Sequence, residues 1–275
     1  RWETNINLFF NKGKLMQLLH TNKTKKIFYL AGLPRAGNTL LSSILNQNPK
    51  VKISANSILA TITWDLFCLK DNKVFKNFPD HKSLDNVIKN VFNNFYNHID
   101  AEIIFERGCW GTPANLMILK KYFNPKPNFL ILNRPILEIV ASFVRSKRNL
   151  GENDFLSISR NLFDENHGKL TQDIRSARNI VKNKERHLMI DYDNLVSGTK
   201  SSIEKIYEHF NLPKFEHNYD NIEQFTFNNI SYDDNVLDFD LHSIRTDRIK
   251  KQEIKVEDYL SKEIINKFKD FNIYA

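Results

Sequence analysis

The sequence predicts an α/β domain, on three observations. Short apolar runs rich in β-formers alternate with longer segments whose apolar residues recur at helical spacing. The first run, Ile27 to Ala31, is apolar throughout and bounded by Gly32, as an interior parallel strand should be. The chain has 275 residues and a hydrophobic content of 41%, enough for one sizeable core, and nothing in it reads as a linker between independent domains.

In chain order, residues 1–26 are a polar lead-in where Leu15, Met16, Leu18 and Leu19 suggest one short helix. The first strand runs into Gly32-Leu33-Pro34-Arg35-Ala36-Gly37-Asn38-Thr39. Leu40, Leu41, Ile44 and Leu45 then follow at helical spacing. The two glycines let the backbone curl and bring N–H groups close to a ligand. The helix after them begins with unpaired N–H groups and a positive dipole end. Together these make an anion cradle suited to phosphate. The spacing is that of a P-loop, GxxxxGK[ST], with one departure. Gly32, Gly37 and Thr39 fit, but Asn38 stands where a lysine would reach terminal phosphates, and the loop's cation is Arg35.

Asn48-Pro49 ends this helix, and Val51 to Ser54 is the second strand. Residues 57–69 and 83–99 read as helices, joined by a charged surface connection from Lys70 to Lys82 that holds Pro79 and His81. Ile103 to Phe105 is the third strand. It leads into Glu106 and Arg107, at the end of the sheet where ligands of open α/β folds bind. These two are candidates for chemistry, and a structural Glu–Arg pair is the equal alternative. Thr112-Pro113 opens a helix to about Lys121. Asn128 to Leu132 is the fourth strand, followed by Asn133-Arg134-Pro135 and a helix through Phe143. Arg134 therefore sits at a strand end, with Ser142 two turns into the next helix. A guanidinium fork clamps phosphate oxygens and a serine hydroxyl adds one more bond. Residues 154–184 read as largely helical, His187 to Ile190 as the fifth strand and Ser197 to Asn211 as a helix. Residues 214–240 read as loop and 256–270 as a last helix.

The stretch Pro34-Arg35-Ala36-Gly37-Asn38-Thr39-Leu40-Leu41 resembles the 5′-phosphosulfate loop of sulfotransferases. Arg134 and Ser142 are similar, in type and spacing, to that family's second signature, which grips a 3′-phosphate. Asp191 to Leu195 resembles an element that follows a core strand there. The resemblance covers residues 26–212, with an echo near 245. It implies a three-layer, P-loop-like α/β fold with a mostly parallel sheet flanked by helices, spanning 1–275 as one domain, with 213–275 completing the site. It also implies 3′-phosphoadenosine-5′-phosphosulfate (PAPS) as co-substrate, adenosine 3′,5′-bisphosphate (PAP) as product, and no metal. The residues it points to for binding are Pro34, Arg35, Ala36, Gly37, Asn38, Thr39, Leu40, Arg134, Ser142, Tyr192 and Arg245, with Arg248 behind Arg245. Arg35 would steady the leaving phosphate. Some relatives carry a catalytic glutamate in the loop after the second strand, but here that loop reads Ala55-Asn56-Ser57-Ile58. Glu106 is the first candidate for the base, with Asp65 and His81 as rivals. A small-molecule P-loop kinase, or a non-catalytic nucleotide-binding protein, is the alternative class.

The formal net charge of +8 favours anionic partners, either a nucleotide with several phosphates or an acidic acceptor. No long Lys/Arg run points to nucleic acid. Cys68 and Cys109 make no disulfide framework and have no zinc spacing. No apolar run approaches the roughly 20 residues of a membrane helix. The chain is expected to be cytoplasmic, and an upstream targeting or anchoring segment stays open. The sequence does not distinguish among a peptide tyrosine, a carbohydrate, an amine and a small alcohol as acceptor.

Overall fold

Five parallel strands form one sheet in the order β2-β3-β1-β4-β5: β1 (Lys26–Leu30), β2 (Val51–Ile53), β3 (Ile103–Arg107), β4 (Asn128–Asn133) and β5 (Arg186–Asp191). The computed structural model describes residues 25–274 apart from 148–150, 152–156, 159–160, 165–167, 225, 227–229, 238 and 245–248. The lead-in helix expected around Leu15, and Arg245 with Arg248, lie outside the described residues.

Strands buried on both faces favour apolar residues at every position. β4 has them from Phe129 to Leu132 and β3 from Ile103 to Phe105, after which β3 ends in the buried Glu106 and Arg107. β1 is the centre, with Tyr29 opposite Glu106 on one side and Phe129 on the other. The helices are α1 (Asn38–Leu45), α2 (Leu59–Cys68), α3 (Lys73–Asn77), α4 (His81–Tyr96), α5 (Pro113–Tyr122), α6 (Ile136–Ser146), α7 (Lys169–Lys182), α8 (Tyr192–Ser197), α9 (Thr199–Phe210) and α10 (Lys262–Phe268). Alternate strand residues sort them into two outer layers. Phe28, Leu30, Phe105, Leu130 and Leu132 pack with α1, α6, α9 and α10. Tyr29, Ile104, Phe129 and Ile131 pack with Trp110 and with Phe92, Leu116 and Ile180 of α4, α5 and α7. The result is the three-layer α/β architecture. Among the described residues no helix is long and apolar enough to cross a membrane.

Two expectations about elements are corrected. The connection 70–82 holds a 3-10 turn (Leu69–Asp71) and α3, and α4 begins at His81 rather than 83. Capping explains both: the Asn72 side chain accepts the Val74 N–H at 2.8 Å, and Asp80 accepts the Ser83 N–H at 3.0 Å. The last helix is also shorter than 256–270. A turn at Val256–Asp258 precedes α10, which Ser261 caps by accepting the Ile264 N–H at 3.3 Å.

The strand order also decides where a ligand can sit. The chain leaves β1 toward β2 and leaves β4 toward β5. The loops after β1 and β4 therefore diverge, and a crevice opens between them at the strands' carboxyl ends.

Candidate active site

A cavity of about 870 Å³ fills that crevice. One wall is the loop from β1 to α1. Gly32 lets this loop press against β4, since a Cβ there would stand 2.7 Å from the Leu132 nitrogen. Gly37 caps α1 in the left-handed conformation, φ 99°, which turns the chain sharply into the helix. The first intrahelical bond runs from the Leu41 N–H to the Gly37 carbonyl at 2.9 Å. The N–H groups of residues 38–40 therefore have no helical acceptor behind them, and no side chain caps the end. No acidic residue lies in that first turn.

Each residue of the loop has a distinct place. Pro34, Arg35, Gly37, Asn38, Thr39 and Leu40 line the cavity. Ala36 does not: its side chain is in the core, and its N–H donates to the Leu33 carbonyl at 3.3 Å. Asn38 sends its amide to the Leu33 carbonyl at 2.7 Å, so it braces the loop from within. Its Oδ1 is buried with no partner among the described residues.

The second wall follows β4. Arg134 is only 4% exposed, yet it borders the cavity. Its Nη1 donates to the Arg35 carbonyl at 2.9 Å, and its Nε donates to Glu138 at 3.0 Å. Its guanidinium lies 4.1 Å from the centre of the Tyr192 ring. Nη2 is buried without a partner among the described residues, an N–H pair held in position for an acceptor. Ser142, on α6, accepts from Arg35 Nε at 3.0 Å, so the loop and the second signature touch directly. Arg35 also donates through Nη1 to the Leu241 carbonyl at 2.5 Å. The structure thus brings together Arg35, Arg134, Ser142 and Tyr192.

Glu106 is placed differently. It is fully buried in β3, outside the cavity wall, and accepts the Tyr96 hydroxyl. Burial pushes its carboxyl up to about 8, against the opposing effects of Ser57, Trp110 and Arg107. Asp65 and His81 are exposed and also stand outside the wall. His81 packs edge-on to Phe75, 5.0 Å between ring centres.

Other residues complete the wall, among them Arg107, the candidate at the end of β3. Arg107 pairs with the buried Asp173 of α7 at 3.2 Å, and Cys109 Sγ donates to the same oxygen at 3.2 Å. Arg145, Arg175 and Lys250 add positive charge, and Asp173 is the one carboxylate of the wall among the described residues. His242 lines the cavity one residue beyond the carbonyl that Arg35 holds. It lies in the stretch that drew notice for its arginines, and a lone histidine in a loop has no period to mark it.

Residues 28–217 match the model of the Sulfotransferase family, Sulfotransfer_3. No curated protein matches the chain. Similar solved structures include the sulfotransferase domain from the curacin biosynthetic pathway, 18% identical over 70% of this chain and 75% of that one, TM-score 0.45. Another is the sulfotransferase domain of the Synechococcus PCC 7002 olefin synthase, 15% identical over 71% and 76%, TM-score 0.45. Sulfotransferase STF9 from Mycobacterium avium is 13% identical over 69% and 64%, TM-score 0.43.

Proposed function

This chain belongs to the sulfotransferase family, and from that premise we propose that it moves the sulfuryl group of PAPS to a hydroxyl or amine acceptor, releasing PAP. The observation that carries the choice of donor is Arg134. It is a buried guanidinium, locked by Tyr192, Glu138 and the Arg35 carbonyl, with one nitrogen lacking a partner among the described residues at the cavity wall. Keeping such a group buried is costly unless a ligand completes its bonds. An anion some distance from the α1 N-terminus meets that demand, and a nucleotide with both 3′ and 5′ charged groups supplies two such anions.

In this reading Arg134 and Ser142 take the 3′-phosphate. Arg35 and the N–H groups at the start of α1 take the 5′-phosphosulfate. Arg35 steadies the charge that grows on the leaving phosphate, so catalysis is positioning plus a fixed positive field. The cavity volume suits a nucleotide with room for part of an acceptor. A phosphoryl-transfer reading finds less support, because the position of the P-loop lysine is taken by Asn38, whose amide is spent on Leu33.

The test is ligand-dependent melting. PAP at about 100 times its Kd adds ~2.7 kcal/mol, a rise of roughly 5–10 °C for a chain of this size. Adenosine 5′-phosphate and ATP should give much less. Equal shifts with PAP and adenosine 5′-phosphate would overturn the 3′-phosphate assignment.

A further inference from the structure

We propose that His242 is the general base of the transfer and that Asp234 is its positioning residue. This rests on the PAPS reading above and adds to it the group that activates the acceptor.

The geometry comes from a segment that crosses over the P-loop. The Asp240 N–H donates to the Ser146 carbonyl at the end of α6, and the Leu241 carbonyl takes Arg35 Nη1. Gln224 holds the same segment from its other edge, donating to the His242 carbonyl at 3.0 Å and accepting the Ile244 N–H at 2.7 Å. The backbone on both sides of His242 is thus fixed beside the loop's arginine.

The ring is fixed as well. Nδ1 meets Asp234 Oδ1 at 2.6 Å, and Asp234 Oδ2 accepts the N–H groups of Leu241 and His242, each at 2.8 Å. Tyr232 stacks on the imidazole, 3.9 Å between ring centres with planes 12° apart. The Tyr232 hydroxyl in turn accepts the Ala55 N–H at 2.7 Å and meets Ser54 at 3.1 Å. His242 therefore stands between Arg35 and the 54–57 loop, both of which border the cavity. An ionised carboxylate can only accept, so Nδ1 carries a proton, and loss of the ring's other proton leaves the lone pair on Nε2. Burial alone would raise the Asp234 carboxyl, but the His242 ring, the His242 N–H and the Leu241 N–H outweigh it and hold it below the ordinary value. A carboxylate on Nδ1 fixes the ring's orientation and tautomer, the arrangement by which a histidine serves as a general base.

The step balances as follows. The acceptor O–H or N–H gives its proton to His242 Nε2, and the acceptor's heavy atom forms the new bond to sulfur. The bond from sulfur to the bridging oxygen of the phosphosulfate breaks, and its electron pair leaves on PAP. Glu106 fits this task less well. It is fully buried, stands off the cavity wall, and has its carboxyl pushed up to about 8, so it is largely protonated at neutral pH.

The experiment measures PAP binding and single-turnover transfer from radiolabelled PAPS. The acceptors are a tyrosine peptide, an N-acetylglucosamine oligosaccharide, a small aliphatic alcohol, an aliphatic amine and water. His242→Gln should keep the PAP-induced rise in melting temperature and lose about 10²- to 10⁴-fold in kcat. His242→Ala should recover part of that loss with added imidazole, which a merely structural role would not allow. Asp234→Asn should lower kcat on the order of 10- to 10²-fold at unchanged KM for PAPS, and should cost nothing further in the His242→Ala background. Near-normal kcat in His242→Gln, or no imidazole rescue in a variant that still binds PAP, overturns the assignment of the base. Loss of PAP binding in the wild type, or no transfer by it to any of these acceptors, overturns the donor reading instead.

Discussion

Arg134 is enclosed to within 4% of full burial, so its removal is felt first in ligand affinity. Arg134→Ala should raise the Kd for PAP by roughly 10- to 100-fold, the ~1.5–3 kcal/mol of a charge-assisted contact. Calorimetric titration checks this, and an unchanged Kd would refute the role. Arg35→Ala should instead abolish turnover while the chain stays folded, because the side chain reaches across a ligand loop rather than into the core. Circular dichroism together with the radiolabel assay separates the two effects. Glu106 gives a different test, one of stability. Its folded-state carboxyl is raised from an ordinary 4.5 to about 8. The folded chain therefore holds a proton that the unfolded chain releases between those values. Its contribution is fully present below about 4.5, is lost as pH rises toward 8, and changes no further above that, at a slope of at most ~1.4 kcal/mol per pH unit. Glu106→Gln removes that slope. Urea unfolding at pH 5.5, 7 and 8.5 should show a smaller decline in the variant than in the wild type, and parallel declines would contradict the raised value.

At the scale of elements, the turn from β1 into α1 depends on Gly37. An alanine there would be strained at φ 99°, and its Cβ would lie 3.0 Å from Tyr192, the ring on which Arg134 stacks. Gly37→Ala should cost ~1–2 kcal/mol in stability and should weaken PAP binding as well, which denaturation curves and titration measure separately. A second element contact holds α7 to the end of β3. Asp173→Ala would leave Arg107 buried beside the cavity with its carboxylate gone, a loss of about 3–5 kcal/mol in chemical denaturation, whereas Asp173→Asn should cost less. These elements differ in how far the sequence reveals them. The five strands and the loop after β1 are legible because apolar runs and a fixed glycine spacing act within a few residues. The helix starts at Lys73 and His81 are not, because one asparagine and one aspartate decide them. Asn38 is visible as a departure from a pattern, but its bond to Leu33 needs the folded loop. Asp234 and His242 carry no local signal, since what joins them to Arg35 and Ala55 is a return of the chain from some two hundred residues away.

Across the whole molecule, the positive charge around the cavity gives a bulk signature. Arg35, Arg107, Arg134, Arg145, Arg175 and Lys250 all border it. PAP affinity should therefore fall as salt rises from about 10 mM to 150 mM, where the screening length shortens from roughly 30 to 8 Å. A Kd independent of salt would mean that these charges do not act on the ligand. The central place of β1 has another consequence, in the order of synthesis. β1 is made early, but both its neighbours come much later in the chain, β3 near residue 103 and β4 near residue 128. Ser142 and Leu241, which hold Arg35, come later still. A ribosome-bound chain displaying the whole glycine loop should thus have no grip on PAP until α6 has left the exit tunnel. Nascent chains stalled at successive lengths should acquire PAP binding abruptly rather than in proportion to length.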